Sequence, residues 1–131
     1  MIGVDTNVLV RFVVEDDKRQ TEHANALFRR ALAKGEQIFV SDVVLCELVW
    51  VLAAAYRVPR QEIAELLTNL MRARQIEIDD ADLVRQALDA FRAGRGDFAD
   101  YVIRERAMSA GCSSVATFEK RLWAESGFEK A

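Results

Sequence analysis

Gln37-Ile38-Phe39-Val40-Ser41-Asp42-Val43-Val44-Leu45-Cys46-Glu47-Leu48-Val49-Trp50 decides how this chain is read. The first four residues form a short apolar run of strand type. Ser41 then offers an N-cap, and the helix it opens is expected to continue to about Tyr56. A strand running straight into a helix is the half-unit of a parallel sheet, and the pattern recurs on both sides. Toward the N-terminus, residues 1–4 read as a first strand and residues 7–14 as a short helix. Asp17 with Gln20 resembles a cap and its N3 partner, opening a helix to Ala33. That helix carries Ala24, Leu27, Phe28, Ala31 and Leu32 on one face and ends at Gly35. Toward the C-terminus, Pro59 suits the first turn of a helix whose apolar stripe is Ile63, Leu66, Leu67, Leu70 and Met71. Residues 75–78 read as a third strand. Asp80 opens a helix with Leu83, Val84, Ala87, Leu88 and Phe91 inward. A basic, glycine-containing loop over residues 92–96 leads to a helix capped by Asp97 and stopped by Gly111. Residues 112–116 read as a fourth strand, and Thr117 as the cap of a last short helix. The expected fold is α/β: one small parallel sheet with helices on both faces, in a single domain over residues 1–131.

Composition narrows the chemistry. With 131 residues, 51% of them hydrophobic and 30% charged, the chain has the makeup of one globular domain that needs no disulfide staples. Cys46 and Cys112 lie far apart, without a CxxC, and read as buried thiols in a reducing compartment. His23 is the only histidine, which nearly excludes multi-histidine zinc sites and histidine acid/base pairs. It lies in a polar stretch and reads as a surface residue. The longest uncharged apolar run, residues 48–56, is far shorter than the roughly 18 residues of a membrane span. No basic region precedes the first apolar run, and Asp5 interrupts it, so a cytoplasmic protein without a membrane partner is expected. The net charge of −3 argues, taken alone, against a simple basic nucleic-acid coat.

Several acids sit where a parallel sheet binds ligands, just beyond the carboxyl ends of its strands. Asp5 follows the first strand, as the cap of the next helix or as a carboxylate aimed over the sheet edge. Glu47 stands in a helix that is apolar nearly all round. Burial there would require an arginine partner, a proton or a metal. Asp97 and Asp100 share a face at a helix start, as cap and N3 acid or as a ligand pair. Glu119 follows the fourth strand. Convergent carboxylates repel one another unless a cation is present, and hard oxygen donors with few histidines select Mg²⁺ or Mn²⁺. The natural reaction class is metal-assisted phosphodiester hydrolysis. Trp50, Met71 and Met108 read as core residues.

Met1-Ile2-Gly3-Val4-Asp5-Thr6-Asn7-Val8-Leu9-Val10 resembles the first motif of PIN-domain ribonucleases. Ser41-Asp42-Val43-Val44-Leu45-Cys46-Glu47-Leu48 resembles the second, and Gly96-Asp97-Phe98-Ala99-Asp100-Tyr101-Val102-Ile103 the third. Gly111 to Glu119 resembles the family's last strand and its Thr-Phe-acid ending. Order, spacing and length are similar to those of the VapC-type toxins of bacterial toxin–antitoxin pairs, across essentially the whole chain. The resemblance implies a PIN-like α/β/α sandwich and a Mg²⁺- or Mn²⁺-dependent endoribonuclease acting as a toxin. It also implies a cognate antitoxin as partner, an RNA substrate, and a homodimer or larger toxin–antitoxin assembly. By motif position it assigns Asp5, Glu47 and Asp100 to catalysis and adds Asp97 to the metal site. Thr6, Asn7, Ser41 and Thr117 fall at supporting positions, and Glu119 stands where the family usually has Asp. Arg92 and Arg95 flank the third motif, as RNA phosphate contacts or as a solvated loop.

Two other classes fit parts of the pattern. A phosphoacceptor receiver-like signalling domain also gathers acids around Mg²⁺, but it needs an acidic pair after the first strand, where Asp5 stands alone. A non-catalytic partner-binding domain would use the same acids as caps and ion pairs.

Overall fold

Helix caps punctuate the chain much as its sequence suggests. In the computed structural model, which describes all 131 residues, Asp5 accepts a hydrogen bond from the Val8 amide at 3.2 Å. Asp17 accepts from Gln20 at 3.0 Å, and Ser41 from Val44 at 3.2 Å. Each satisfies an amide that the first helical turn leaves without a partner. The chain divides into two compact units, Met1–Asp79 and Asp80–Ala131.

The first unit contains β1 (Ile2–Gly3), α1 (Thr6–Val13), α2 (Lys18–Ala33), β2 (Ile38–Val40), α3 (Asp42–Ala54), α4 (Arg60–Arg72) and β3 (Ile76–Ile78). Its sheet has the order β1-β2-β3, with both pairs parallel. Ile38 is level with Ile2 on one side and with Ile76 on the other. Ile38 and Val40 are fully buried and pack in a core with Leu9, Leu45, Leu48, Leu52, Ile63 and Leu67. Pro59 is the cap of α4 and not its first helical residue, a displacement of one position. Gly35 ends α2 at φ 69°, where a Cβ would be strained. Arg11 ties α1 to α2, to the connection between them and to the turn after α3, donating to Gln20 at 2.5 Å, to Asp16 at 2.6 Å and to the Tyr56 hydroxyl at 3.1 Å. Gln20 therefore serves Arg11, where the sequence suggests a reciprocal capping box with Asp17.

Burial in α3 departs from the expectation. Leu45, Leu48, Val49 and Leu52 form the buried face, at helical spacing. Val43, Glu47 and Trp50 fall on the opposite face, three and four residues apart, and face solvent. Trp50 is 70% exposed and so is not a core residue. An all-apolar helix composition here reflects an exposed apolar face and not burial on every side.

The second unit contains α5 (Ala81–Ala93), α6 (Phe98–Ser109), β4 (Val115–Thr117), a 3-10 turn (Lys120–Leu122) and β5 (Phe128–Lys130). β4 and β5 are parallel and form a two-stranded sheet of their own, so the strands do not form the single four-stranded sheet expected. The last helix expected after Thr117 is only a 3-10 turn, and β5 has no counterpart in the sequence reading. Its segment, Phe128-Glu129-Lys130, has a single buried apolar residue, too little for a period to register. Phe91 and Phe98 meet edge to face at 6.0 Å, and Tyr101 and Phe128 at 6.2 Å. Arg104 lies over both Tyr101 and Phe128, with its guanidinium 5.2 and 5.7 Å from the ring centres. No helix in the chain is long and apolar enough to cross a membrane.

The fully buried Tyr101 locks the loop ahead of α6. Its hydroxyl accepts from the Gly96 amide at 2.8 Å and donates to Glu125 at 2.7 Å. Glu125 also accepts from the Arg95 amide at 3.2 Å. The loop lies so close that a Cβ at Gly94 would collide with the Tyr101 hydroxyl, and one at Gly96 would come within 2.6 Å of Leu122. Tyr101→Phe strips the Gly96 amide of its acceptor and Glu125 of a donor. It is expected to cost about 1–3 kcal/mol, read as a lowered midpoint in urea unfolding.

Candidate active site

Two sets of acids are built, one in each unit. In the first, Asp5 leaves β1 after a single buried residue, Val4, and caps α1 with its carboxylate exposed. Thr6 follows and donates from its hydroxyl to Glu47 at 3.2 Å, tying the start of α1 to the middle of α3. This one bond brings the first and second acidic motifs together across 41 residues of sequence. Glu47 has no arginine partner and is exposed, so neither the buried ion pair nor the buried ligand describes it. Ser41 fixes the entry of α3 as its cap. Asn7 is exposed on α1. Cys46, beside Glu47, has its thiol pushed up to about 11, by burial first and then by the charges of Asp42 and Glu47. It stays protonated at neutral pH.

In the second unit, Asp97 caps α6 and Asp100 reaches back to accept from the Asp97 amide at 2.8 Å. That bond holds the two carboxylates at the start of one helix. Burial raises the Asp100 carboxyl above its ordinary range, and the charges of Asp97 and Glu119 add to the effect. The hydrogen bond from Asp97 and the charge of Arg121 pull the other way without winning. Glu119 is exposed and accepts from Arg121 at 3.0 Å, a bond that holds its carboxyl below the usual range. Thr117 accepts from the Glu119 amide at 3.0 Å and so shapes the turn after β4. Arg92 and Arg95 are both exposed near this loop, and Arg95 is anchored through its backbone alone.

The PIN domain family matches residues 2–126, which takes in every one of these acids. A VapC ribonuclease of Aquifex aeolicus (strain VF5) is 26% identical over 118 residues, covering 90% of this chain and 87% of that protein. The chain belongs to the PIN-domain family. Its parallel strands and interleaved helices are consistent with the α/β/α fold of that family. The receiver-like reading falls away with this match.

In neither unit of this PIN protein do three or more His, Cys, Asp or Glu side chains form a group able to hold a metal ion. The donor chemistry nevertheless fits a hard divalent cation. The acids are oxygen donors, the neighbouring thiol is protonated, and Asp100 carries a charge that its surroundings leave undercompensated. Sequence reading missed Arg121. Its guanidinium pKa is raised by its bond to Glu119 and by the charges of Asp97 and Asp100, so it serves the acids as an internal counter-ion. Only the topology of the β4–β5 connection puts it there, and no local motif marks it.

The raised Asp100 carboxyl has a consequence for stability. A carboxyl with a folded-state pKa above its unfolded value penalises folding at higher pH, and the penalty fades as pH falls below the ordinary carboxylate range. In metal-free protein, Asp100→Asn is therefore expected to raise the melting temperature at pH 7. The gain should shrink toward zero in a series of melts taken down to acid pH. A gain that grows on acidification contradicts this origin.

Proposed function

We propose that this protein is a Mg²⁺- or Mn²⁺-dependent endoribonuclease, the toxin of a type II toxin–antitoxin pair that arrests growth or translation by cutting RNA. The observation that carries the reading is the PIN match over residues 2–126, with an acid at each motif position. Similarity to the VapC ribonuclease over 90% of the chain supports the toxin class. A cognate antitoxin, a homodimer or larger toxin–antitoxin assembly, and a cytoplasmic location follow from that reading. So does the use of residues 1–131 as one PIN-like domain.

In this proposal Asp5 and Asp100 hold the cation, and Glu47 and Asp97 complete or orient its shell. When bound, the cation supplies acidity to water at neutral pH and neutralises charge developing on the phosphate. The chain's own residues supply the positioning. Thr6 steadies Glu47 through its 3.2 Å bond. The Asp97 amide fixes the Asp100 carboxylate at 2.8 Å, and Tyr101 with Glu125 immobilises the loop from which Asp97 departs. Glu119, engaged by Arg121, tunes Asp100 through its charge and takes the lesser part.

Purified protein is expected to cut single-stranded RNA with Mg²⁺ or Mn²⁺ and to lose all activity in excess EDTA. Asp5→Asn and Asp100→Asn should each abolish cleavage and cellular toxicity while the circular dichroism spectrum stays unchanged. Cleavage persisting in either variant, or in chelator, overturns the assignment. Glu119→Gln should retain a larger share of activity than Asp5→Asn in the same assay. An equal loss would make Glu119 a full member of the site.

A further inference from the structure

A groove of about 440 Å³ runs between α1 and α2 and opens beside Asp5. Its floor is apolar, made by Val8, Ala24 and Leu27. His23 and Arg30 stand along its α2 side. They are seven residues apart on one helix, two turns and about 10 Å along the axis. Both are exposed, and neither has an ion pair or a side-chain hydrogen bond within the chain. The third basic residue of the groove, Arg11, is different, because Asp16, Gln20 and Tyr56 already occupy its guanidinium. The cationic character open to a ligand is therefore that of Arg30, with His23 as a further donor.

We propose that this groove is a binding track for single-stranded RNA, leading the strand to Asp5. The proposal rests on the nuclease reading for its substrate class. Phosphates meet Arg30 and His23, and a base or ribose covers the small apolar floor. Backbone contacts of this kind position a strand without reading its sequence, and a cationic groove with an apolar floor is how single strands are commonly held. The strip of Val8, Ala24 and Leu27 is short, and unpaired donors flank it. That chemistry suits an alternating polyanion with flat bases better than the long apolar face of a partner helix. Continuity with Asp5 gives the track a direction.

The test is the affinity of a fluorescein-labelled single-stranded RNA oligonucleotide, read by anisotropy in EDTA across a salt series. Arg30→Ala should weaken binding about tenfold at low salt, as loss of a charged hydrogen-bond donor implies. It should also lower the slope of log affinity against log salt by about 0.7, the signature of one lost phosphate contact on a single strand. Leu27→Asp, which puts a carboxylate on the floor, should weaken binding at least as much. Arg19→Ala, on the same helix but outside the groove, should leave both quantities unchanged. In cleavage assays with Mg²⁺, Arg30→Ala should raise KM with kcat nearly constant. Unchanged affinity and salt slope in both Arg30→Ala and Leu27→Asp overturn the track, as does the lack of any RNA binding in EDTA by the unmodified protein. Loss of binding to a protein partner with RNA affinity intact also overturns it. If the groove variants lose RNA binding but the unmodified protein never cuts RNA, the nuclease reading fails while the track stands.

Discussion

Amide groups left open at a helix N-terminus must find acceptors, and the side chains that meet this need here are those of the acidic motifs. Asp5 closes the first turn of α1, Ser41 that of α3, and Asp97 with Asp100 that of α6. Capping fixes both the chain direction as it leaves a strand or loop and the orientation of the capping carboxylate. The structural and functional readings of these residues are therefore not rivals. A carboxylate held by a backbone amide keeps further lone pairs for a ligand, and the helix end behind it is a region of positive potential that tolerates negative charge. The cap is thus what makes the pair of like charges at the start of α6, Asp97 with Asp100, compatible with a folded chain.

Compensation is nonetheless incomplete, and unequal. Glu119 has its own arginine, and its carboxyl is stabilised as the anion. Asp100 has a shared amide and a more distant claim on Arg121, and burial wins over both. The strain falls on the acid that the motif assigns to catalysis and not on the one that departs from the family pattern. Burial is the first cause of the cost of ionising Asp100, and the charges of Asp97 and Glu119 add to it.

Much of this was legible in residue order. Short apolar runs, hydroxyl and carboxylate caps and glycine stops located β1 to β4 and all six helices, because each signal is local and has its own physical cause. Two kinds of feature were not legible. Composition could not say which side of α3 faces solvent. Its apolar residues surround the helix, so the sequence alone puts Glu47 and Trp50 inside, whereas both are exposed. Contacts between distant residues left no local trace either. Tyr101 reads as one more apolar position in α6, and Glu125 as one more surface acid, until the fold sets one oxygen 2.7 Å from the other. Arg121 was invisible for the same reason among 18 basic residues. The strands also number five, because β5 is too short to carry a period and exists through its pairing with β4.

Net charge was the least informative of the sequence quantities, and the structure explains why. A value of −3 describes the chain as seen from far away, while a strand of RNA meets charges one at a time within a screening length of about 10 Å. Asp5, Glu47, Asp97 and Asp100 carry four of the negative charges, and all other residues together sum to +1. What matters more is which cations are already engaged. Arg11, Arg104 and Arg121 are bound to carboxylates of their own unit and offer little to a ligand. Arg30 is not, and with His23 it borders a groove that opens at Asp5. An acidic protein can therefore present a locally basic path. Arg30 stays unengaged beside the groove, so a chain of net charge −3 keeps a free cation where the track is proposed.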